Sequence, residues 1–308
     1  MERFAHRVEK TQKEWTELSE DVRNLLIEES VEESIVDYGN TVLYSTARNE
    51  YMITRIKRLL KRSVWALTKQ LEKGDFRPSG FEMKFGSGKI DRVDLCKDEG
   101  TVYVKVIDYK TGMRAFDITA FYYGLQLQLP VYMNAAMNVI QKQYPQEDVV
   151  PAGIFYYRMQ DPFVEKEKND IVLEEKLLEK LKLDGLINAD DAVMQHLERD
   201  LMGSSNLYPV SRNKNGSLGA YSKVLNPEVF QSLLEYTKEK ETELKEGIAS
   251  GETEAAPYVL GNNSGCDYCT YRDICGFDTE VEGYRYRSLE KHSLDEVVEL
   301  ICRKLEEK

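Results

Sequence analysis

Two aspartates and a lysine stand close together in a stretch of sequence that predicts a β-hairpin. The stretch from Gly86 reads GSGKIDRVDLCKDEGTVYVKVIDYK, with Asp91 before the central KDEG and Asp108 and Lys110 after it. Paired carboxylates are the oxygen ligands that a hard cation such as Mg²⁺ prefers. A lysine two residues beyond the second acid could hold or polarise a metal-bound water. The residue types therefore indicate a divalent-metal site.

The pairing of the two predicted strands decides whether these side chains meet. If residues 97–100 form a plain four-residue turn, Asp91 faces Val106 on the neighbouring strand. Because side chains alternate between the faces of a sheet, Asp91, Asp108 and Lys110 then project from the same face. A one-residue bulge would separate them, so the expectation depends on this register.

An ion-paired polar sheet face without catalytic chemistry is the alternative interpretation of the hairpin. The residues around the acids favour chemistry, because both strands are apolar enough to be internal and unpaired charges are rarely buried. The apolar residues of the two strands are Ile90, Val93, Leu95, Val102, Val104, Val106 and Ile107.

The motif order along the chain carries a resemblance to a known family. The pattern GKID…VIDYK, followed by YYGLQLQLPVY, resembles the RecB-type branch of the PD-(D/E)XK nucleases. Within that branch the chain is similar to the nuclease domain of the AddB family of bacterial helicase–deoxyribonuclease subunits, a likeness that extends through STARNEY, GIFYYRMQDP and CDYCTYRDICGFD. The resemblance implies an α/β, restriction-endonuclease-like fold: a central mixed β-sheet flanked by helices, with a helical N-terminal region and a cysteine-rich C-terminal extension.

The resemblance also implies roles for individual residues. Asp91, Asp108 and the main-chain carbonyl of Tyr109 would bind Mg²⁺ or Mn²⁺, and Lys110 would position the attacking water during phosphodiester hydrolysis. A histidine on the first helix often adds a metal ligand in this family, and His6 has that position. The alternative is that His6 is a surface histidine.

A glutamine and a tyrosine on a helix after the hairpin belong to the same predicted site. Asp117 is expected to cap a helix that begins DITAFYYG and continues through Gln128 and Tyr132, which share a face because they are four residues apart. The resemblance implies that these two side chains orient substrate or water; otherwise they are core and rim residues. Pro130, between them, is expected to kink the helix.

Three of the five cysteines form a second motif, Cys266-x₂-Cys269-x₅-Cys275, which indicates a metal or cluster site. Three thiolates are one short of a complete set for zinc or for a [4Fe–4S] cluster. The resemblance implies a [4Fe–4S] cluster whose fourth cysteine precedes the nuclease domain. We therefore expect an excised domain, in which the cluster is absent or incomplete. Cys96 and Cys302 are interpreted as buried thiols.

Composition narrows the setting in which this chemistry takes place. The 308 residues carry a net charge of −12, which disfavours nucleic-acid binding by bulk electrostatics and suggests work inside a larger assembly. The expected partners are DNA, most plausibly single-stranded, an AddA-type helicase–nuclease subunit and the rest of the protein's own chain. Neither a membrane span nor a secretory signal is evident, so we expect a cytoplasmic location.

The chain is expected to form a single nuclease domain over residues 1–308. A helical region at 1–75 precedes the catalytic sheet and the Gln/Tyr helix at 76–160; helices and a loop excursion follow at 161–260, and the cysteine motif and a last helix at 261–308. A long helix over residues 46–71 has an apolar stripe and a basic face, which is the best candidate for phosphate contacts. That face carries Arg55, Lys57, Arg58, Lys61 and Arg62.

The sequence therefore predicts a Mg²⁺-dependent exonuclease domain of a bacterial helicase–nuclease that acts in double-strand break repair and recombination. One alternative is a stand-alone, cluster-bearing exonuclease of the RecB family. Another is a catalytically silent module that binds DNA or serves as a scaffold. Metal binding distinguishes catalysis from scaffolding, and activity of the single chain distinguishes the stand-alone enzyme.

Overall fold

The computed structural model describes the whole chain except Ser87, Arg114, Lys168 and Lys308, and apart from the side chains of residues 40 and 41. The α-helices are α1 Glu2–Lys10, α2 Glu20–Tyr38, α3 Ala47–Lys73, α4 Ile118–Tyr122, α5 Gln128–Gln143, α6 Asp170–Lys180, α7 Asp191–Leu197, α8 Pro227–Ser250, α9 Arg272–Cys275 and α10 Leu294–Glu306. The strands are β1 Arg77–Phe85, β2 Gly88–Asp98, β3 Thr101–Lys110, β4 Asp148–Arg158, β5 Asp184–Asn188, β6 Gly203–Ser204, β7 Ser211–Arg212, β8 Val224–Leu225, β9 Tyr258–Leu260, β10 Asn263–Ser264 and β11 Arg287–Leu289.

The chain divides into two compact units. The first comprises residues 1–116 and 132–227, and the second comprises residues 117–131 and 228–308. The first unit contains the large sheet and the predicted acids, and the second contains the cysteine motif. In the described part of the chain, no helix combines the length and apolar character that crossing a membrane requires.

A six-stranded mixed sheet in the order β1-β2-β3-β4-β5-β8 forms the centre of the first unit. Neighbouring strands are antiparallel, except that β3 is parallel to β4 and β5 is parallel to β8. The middle strands are rich in β-branched and aromatic residues, which suit a pleated surface buried on both faces. The predicted α/β fold with a central mixed sheet is confirmed.

The turn between β2 and β3 is shorter than predicted. Asp98 pairs with Thr101, so Glu99 and Gly100 alone form the turn, with φ of 44° and 83°. Positive φ at both central positions matches the right-handed twist of the flanking strands. Asp91 consequently lies beyond the pair Arg92–Ile107 rather than opposite Val106, and the predicted register is wrong by two residues.

Helices α1, α2 and α3 pack their apolar residues against one face of the sheet. The residues at this contact are Phe4, Val8, Trp15, Ile27, Val31, Ile35, Val64 and Leu67 from the helical region, and Cys96, Tyr103, Ile107, Phe155 and Tyr157 from the strands. Thr46 caps α3 by accepting a hydrogen bond from the Asn49 main-chain N–H at 3.2 Å, as its position before the long helix indicates. Burial of this helical layer holds the strand ends that carry the acids.

Two helices replace the single predicted helix after the hairpin. Asp117 caps α4 through the Ala120 main-chain N–H at 3.1 Å, but α4 ends at Tyr122 and Gly124 turns the chain with φ of 81°. Pro130 lies in the first turn of α5, where its missing N–H has no helical partner to lose. The predicted kink is therefore wrong, because proline begins the helix instead of interrupting it.

The segment 203–221 is more ordered than the predicted loop excursion. It contains the β6–β7 pair, and its residues Leu207, Tyr208 and Val210 are buried in the core of the first unit. Three apolar anchors offset the Gly, Ser and Asn content that suggested a surface loop.

The second unit has its own helix caps and aromatic packing. Ser293 and Glu296 form the predicted capping box at the start of α10, with Ser293 N–H donating to the Glu296 carboxylate at 2.7 Å. Tyr236 of α8 is buried, stacks on Tyr122 and donates its hydroxyl to the Tyr122 carbonyl at 2.7 Å.

Candidate functional site

The two predicted acids lie at the end of the β2–β3 hairpin and project from the same sheet face. Since Arg92 pairs with Ile107, Asp91 and Asp108 come next along their strands and face each other. The two-residue error in register leaves this outcome unchanged, because a shift by an even number preserves which face each side chain occupies. The strand pairing therefore brings the two carboxylates together at one place on the sheet.

A main-chain hydrogen bond fixes the orientation of Asp91. The N–H of Tyr109 donates to Asp91 Oδ2 at 2.8 Å, so this oxygen is held against β3. Burial is the main cause that raises the pKa of Asp91 above its ordinary value; the charges of Asp108 and Glu82 raise it further, while the Tyr109 N–H and Lys110 oppose the shift. Ionised Asp91 is thus destabilised by its surroundings, and a cation would relieve that destabilisation.

Asp108 and Lys110 form an ion pair beside Asp91. Lys110 Nζ lies 2.5 Å from Asp108 Oδ2, and Asp108 is only 1% exposed. The same ammonium lies 5.3 Å from the ring centroid of Tyr156, on the neighbouring strand β4. A buried carboxylate with a cation held against it can bind an electropositive centre on one side and an anionic phosphate on the other.

A buried ionic network lies on the opposite face of the same hairpin. Arg92 donates from Nε and Nη2 to the two oxygens of Asp94 at 2.6 and 2.9 Å, and Lys105 Nζ lies 3.1 Å from Asp94. All three residues are at most 1% exposed. Burial acts to raise the pKa of Asp94, but the positive charges of Arg92 and Lys105 outweigh it and hold the pKa below its usual range.

Aromatic rings surround this network. The guanidinium of Arg92 lies 5.0 Å from the ring of Trp15, which is stacked on Phe81, and Lys105 Nζ is 3.3 Å from the hydroxyl of Tyr208. Sequence reasoning missed the network, although Arg92 and Asp94 alternate with apolar residues in KIDRVDLCK. That alternation is the signal that could have revealed it. The network supports the hairpin from the face opposite the acids.

The remaining predicted site residues have different surroundings. Tyr132 lies on α5 with its ring 5.6 Å from that of Phe85, at the end of β1. Gln128 is the first residue of α5, one turn before Tyr132. His6 is exposed on α1, whose first residues line a cavity that also contains Asp91. Roles for Gln128, Tyr132 and His6 in the site stay predictions.

The basic face of α3 is largely neutralised by acidic partners. Lys57 and Lys61 pair with Glu32 and Glu28 of α2, each at 2.5 Å, and Arg58 pairs with Asp161 at the same distance. These pairs explain why a basic helix occurs in an acidic chain, and they reduce its value as a general phosphate-binding surface.

The cysteine motif lies in the second unit around the short helix α9. Cys275 ends that helix; Cys269 and Cys275 are exposed and Cys266 is half-buried. Within the described ranges, no three His, Cys, Asp or Glu side chains are grouped so as to hold a metal ion. The three thiols as arranged therefore do not fit a cluster, which requires four thiolates. Cys96 is buried as predicted, and burial raises its thiol pKa to about 11, whereas Cys302 is only half-buried.

The donor chemistry at the hairpin does fit Mg²⁺. Magnesium is commonly bound through one or two carboxylates, with water and substrate phosphate completing its coordination. Asp91 and Asp108 supply two facing carboxylates, and the charge of Asp108 adds to burial in raising the pKa of Asp91, so the two groups repel each other. Three converging protein ligands are not required for such a site.

Comparison with known proteins assigns the class that this sheet and its paired acids suggest. Residues 1–276 match the PD-(D/E)XK nuclease superfamily. The chain belongs to that superfamily, as its motif order predicts.

More specific similarity is to the AddB-type subunits of ATP-dependent helicase/deoxyribonucleases. The chain is 39% identical to the Lachnoclostridium phytofermentans subunit, in a match covering 98% of the chain and 28% of the relative. It is 33% identical to the Alkaliphilus oremlandii subunit, with 98% and 28% covered, and 33% identical to the Alkaliphilus metalliredigens subunit, with 100% and 29% covered. The chain thus spans less than a third of these relatives.

Proposed function

We propose that this chain is a metal-dependent deoxyribonuclease that hydrolyses phosphodiesters at the Asp91–Asp108–Lys110 site. The facing pair of carboxylates with a lysine held beside it carries the proposal. Membership of a nuclease superfamily and similarity to proteins named as deoxyribonuclease subunits support it.

Each residue of the hairpin has a separate part in the proposed reaction. Asp91, Asp108 and the carbonyl of Tyr109 would hold Mg²⁺ or Mn²⁺, and His6 is a candidate for an additional ligand. The bound ion supplies Lewis-acid polarisation and a more acidic water. Lys110, positioned by Asp108, places positive charge where negative charge develops on the phosphate.

Gln128 and Tyr132 are proposed to orient the strand or the attacking water. They lie one helical turn apart on α5, as a shared role requires. The ring of Tyr132 packs edge-to-face on Phe85, which restricts its motion near the end of β1.

The biological setting follows from the relatives' names. A domain resembling part of an AddB-type helicase/deoxyribonuclease subunit would work as an exonuclease on single strands delivered by a helicase, with an AddA-type protein as partner, in double-strand break repair in the cytoplasm. The net charge of −12 supports delivery by a partner, since the chain neutralises few phosphates by itself. Cys266, Cys269 and Cys275 would hold a [4Fe–4S] cluster only with a fourth thiolate from elsewhere.

Cleavage of end-labelled single-stranded DNA in Mg²⁺ or Mn²⁺ tests the proposal. Asp108→Ala and Lys110→Ala should each lower the rate at least about a hundredfold, the scale on which loss of one transition-state-stabilising group acts. Asp148→Ala is the matched control, because Asp148 is an exposed aspartate at the start of the neighbouring strand β4. Full activity of Asp108→Ala would contradict the assignment. A circular single strand that is cut as fast as a linear one would contradict exonuclease action.

A further inference from the structure

A cavity of about 570 Å³ opens beside Asp91 in the first unit. Glu82, Asp91 and Tyr109 line one part of it. Helices α2 and α3 and the segment between them supply an apolar wall made of Ile27, Val31, Ile35, Leu43, Leu60 and Val64. Tyr38 and Ile56 also line it and are 85% and 46% exposed, so both are accessible to a ligand.

The two sides of this cavity suit different parts of one ligand. A phosphate cannot lie against the apolar wall, because burying an unpaired charge there is costly. Nor is the acidic side favourable for a phosphate, except through a cation held by Asp91 and Asp108. A neutral, flat, largely apolar group can occupy the wall without either penalty. A ligand that carries both parts is a nucleotide.

We propose that this cavity binds the unpaired nucleobase of the nucleotide whose phosphate lies at Asp91 and Asp108. This assignment rests on the function proposed above and extends it to a subsite that selects single strands. The volume is within the range of small-molecule pockets, and the cavity is continuous with the site because Asp91 lines it.

The wall predicts the kind of recognition. Its side chains offer contact area and one aromatic ring at Tyr38, and stacking or apolar contact tolerates every base because every base has a flat face. A base in a duplex is paired and stacked, so it would have to leave the helix to enter the cavity. The subsite therefore favours unpaired strands with little sequence preference.

Single-strand substrates with one abasic site at successive positions test the proposal. The measurements are cleavage kinetics in Mg²⁺ and binding in Ca²⁺, for the parent, Tyr38→Ala and Ile56→Ser. Matched controls are Tyr51→Ala and Met52→Ser, exposed residues of α3 that are not among those lining the cavity. All four side chains are at least 45% exposed, so the substitutions should leave the fold intact.

An abasic site at one register position should weaken parent binding by about five- to tenfold, the effect of losing one stacked base. Tyr38→Ala and Ile56→Ser should bind the intact strand more weakly and lose most of this discrimination, whereas the controls should keep it. Equal discrimination in all five proteins would overturn the subsite, as would an apolar wall whose substitution changes neither binding nor cleavage. The latter result would indicate a protein segment as occupant.

The two proposals fail in distinguishable ways. Normal cleavage that depends on Asp108, without discrimination at the cavity, removes the base subsite and leaves the catalytic assignment. Discrimination in binding that follows Tyr38 and Ile56, without cleavage by the parent, keeps the subsite and removes the catalytic assignment.

Discussion

Asp91 is the residue whose environment most clearly asks for a cation. It is buried beside a second carboxylate, with Glu82 on the neighbouring strand, and burial and these charges raise its pKa. The Tyr109 N–H holds one of its oxygens in place. Asp91, Asp108 and Lys110 could be predicted from spacing alone, because strand alternation depends only on whether the register is odd or even. The contributions of Glu82 and Tyr156 could not, since they come from pairing with other strands.

Asp91→Asn should stabilise the metal-free protein near neutral pH. The folded-state pKa of Asp91 is raised, so the folded state binds this proton more tightly than the unfolded chain and ionisation costs stability. Asparagine removes the charge and keeps an acceptor for the Tyr109 N–H. Thermal unfolding in chelator should give a higher Tm for the variant than for the parent.

The pH dependence provides the check on this prediction. The difference should vanish below about pH 4, where aspartate is protonated in both states, and should grow as pH rises through the raised folded-state pKa. Asp148→Asn, at an exposed aspartate of the same sheet, should show no such dependence. A lower Tm for Asp91→Asn at neutral pH would mean that this carboxylate is stabilised without a cation.

At the scale of elements, the β2–β3 hairpin shows what a sequence can and cannot specify. Alternation of apolar and polar residues predicted both strands and the shared face. Turn length was mispredicted because Glu99 adopts a positive φ, which is uncommon for a residue other than glycine. The break between α4 and α5 was missed for a similar reason: Gly124 turns the chain with positive φ, and the first turn of α5 accommodates Pro130.

The buried network below the hairpin should depend strongly on its single acid. Asp94→Asn leaves the cations of Arg92 and Lys105 buried without a counter-charge, and we expect the free energy of unfolding to fall by about 3–5 kcal/mol. Urea denaturation measures this loss.

The matched control is Glu32→Gln, which breaks the exposed pair with Lys57. Its effect should be at most about 1 kcal/mol, because exposed pairs contribute little. Equal losses in the two variants would show that burial of the network does not govern its contribution. A small loss in both would remove the network as the support of the metal-site strands.

At the scale of the whole molecule, the sequence predicted the mixed α/β sheet and the superfamily, because motif order and strand pattern are local features. The division into two units was not predicted, since the second unit joins residues 117–131 to residues beyond 227. Such long-range pairing leaves no periodic signal in the chain. A net charge of −12 fits a catalytic unit that relies on a metal ion and on a partner to meet an anionic substrate.

Mn²⁺ binding, followed by electron paramagnetic resonance of the free ion, tests the central claim most directly. The parent should bind the ion, and Asp91→Asn and Asp108→Asn should each weaken the affinity by more than about tenfold, since even residues behind metal ligands have effects of that size. Asp148→Asn should bind like the parent. Affinities of Asp91→Asn and Asp108→Asn equal to that of the parent would contradict a metal site at the hairpin.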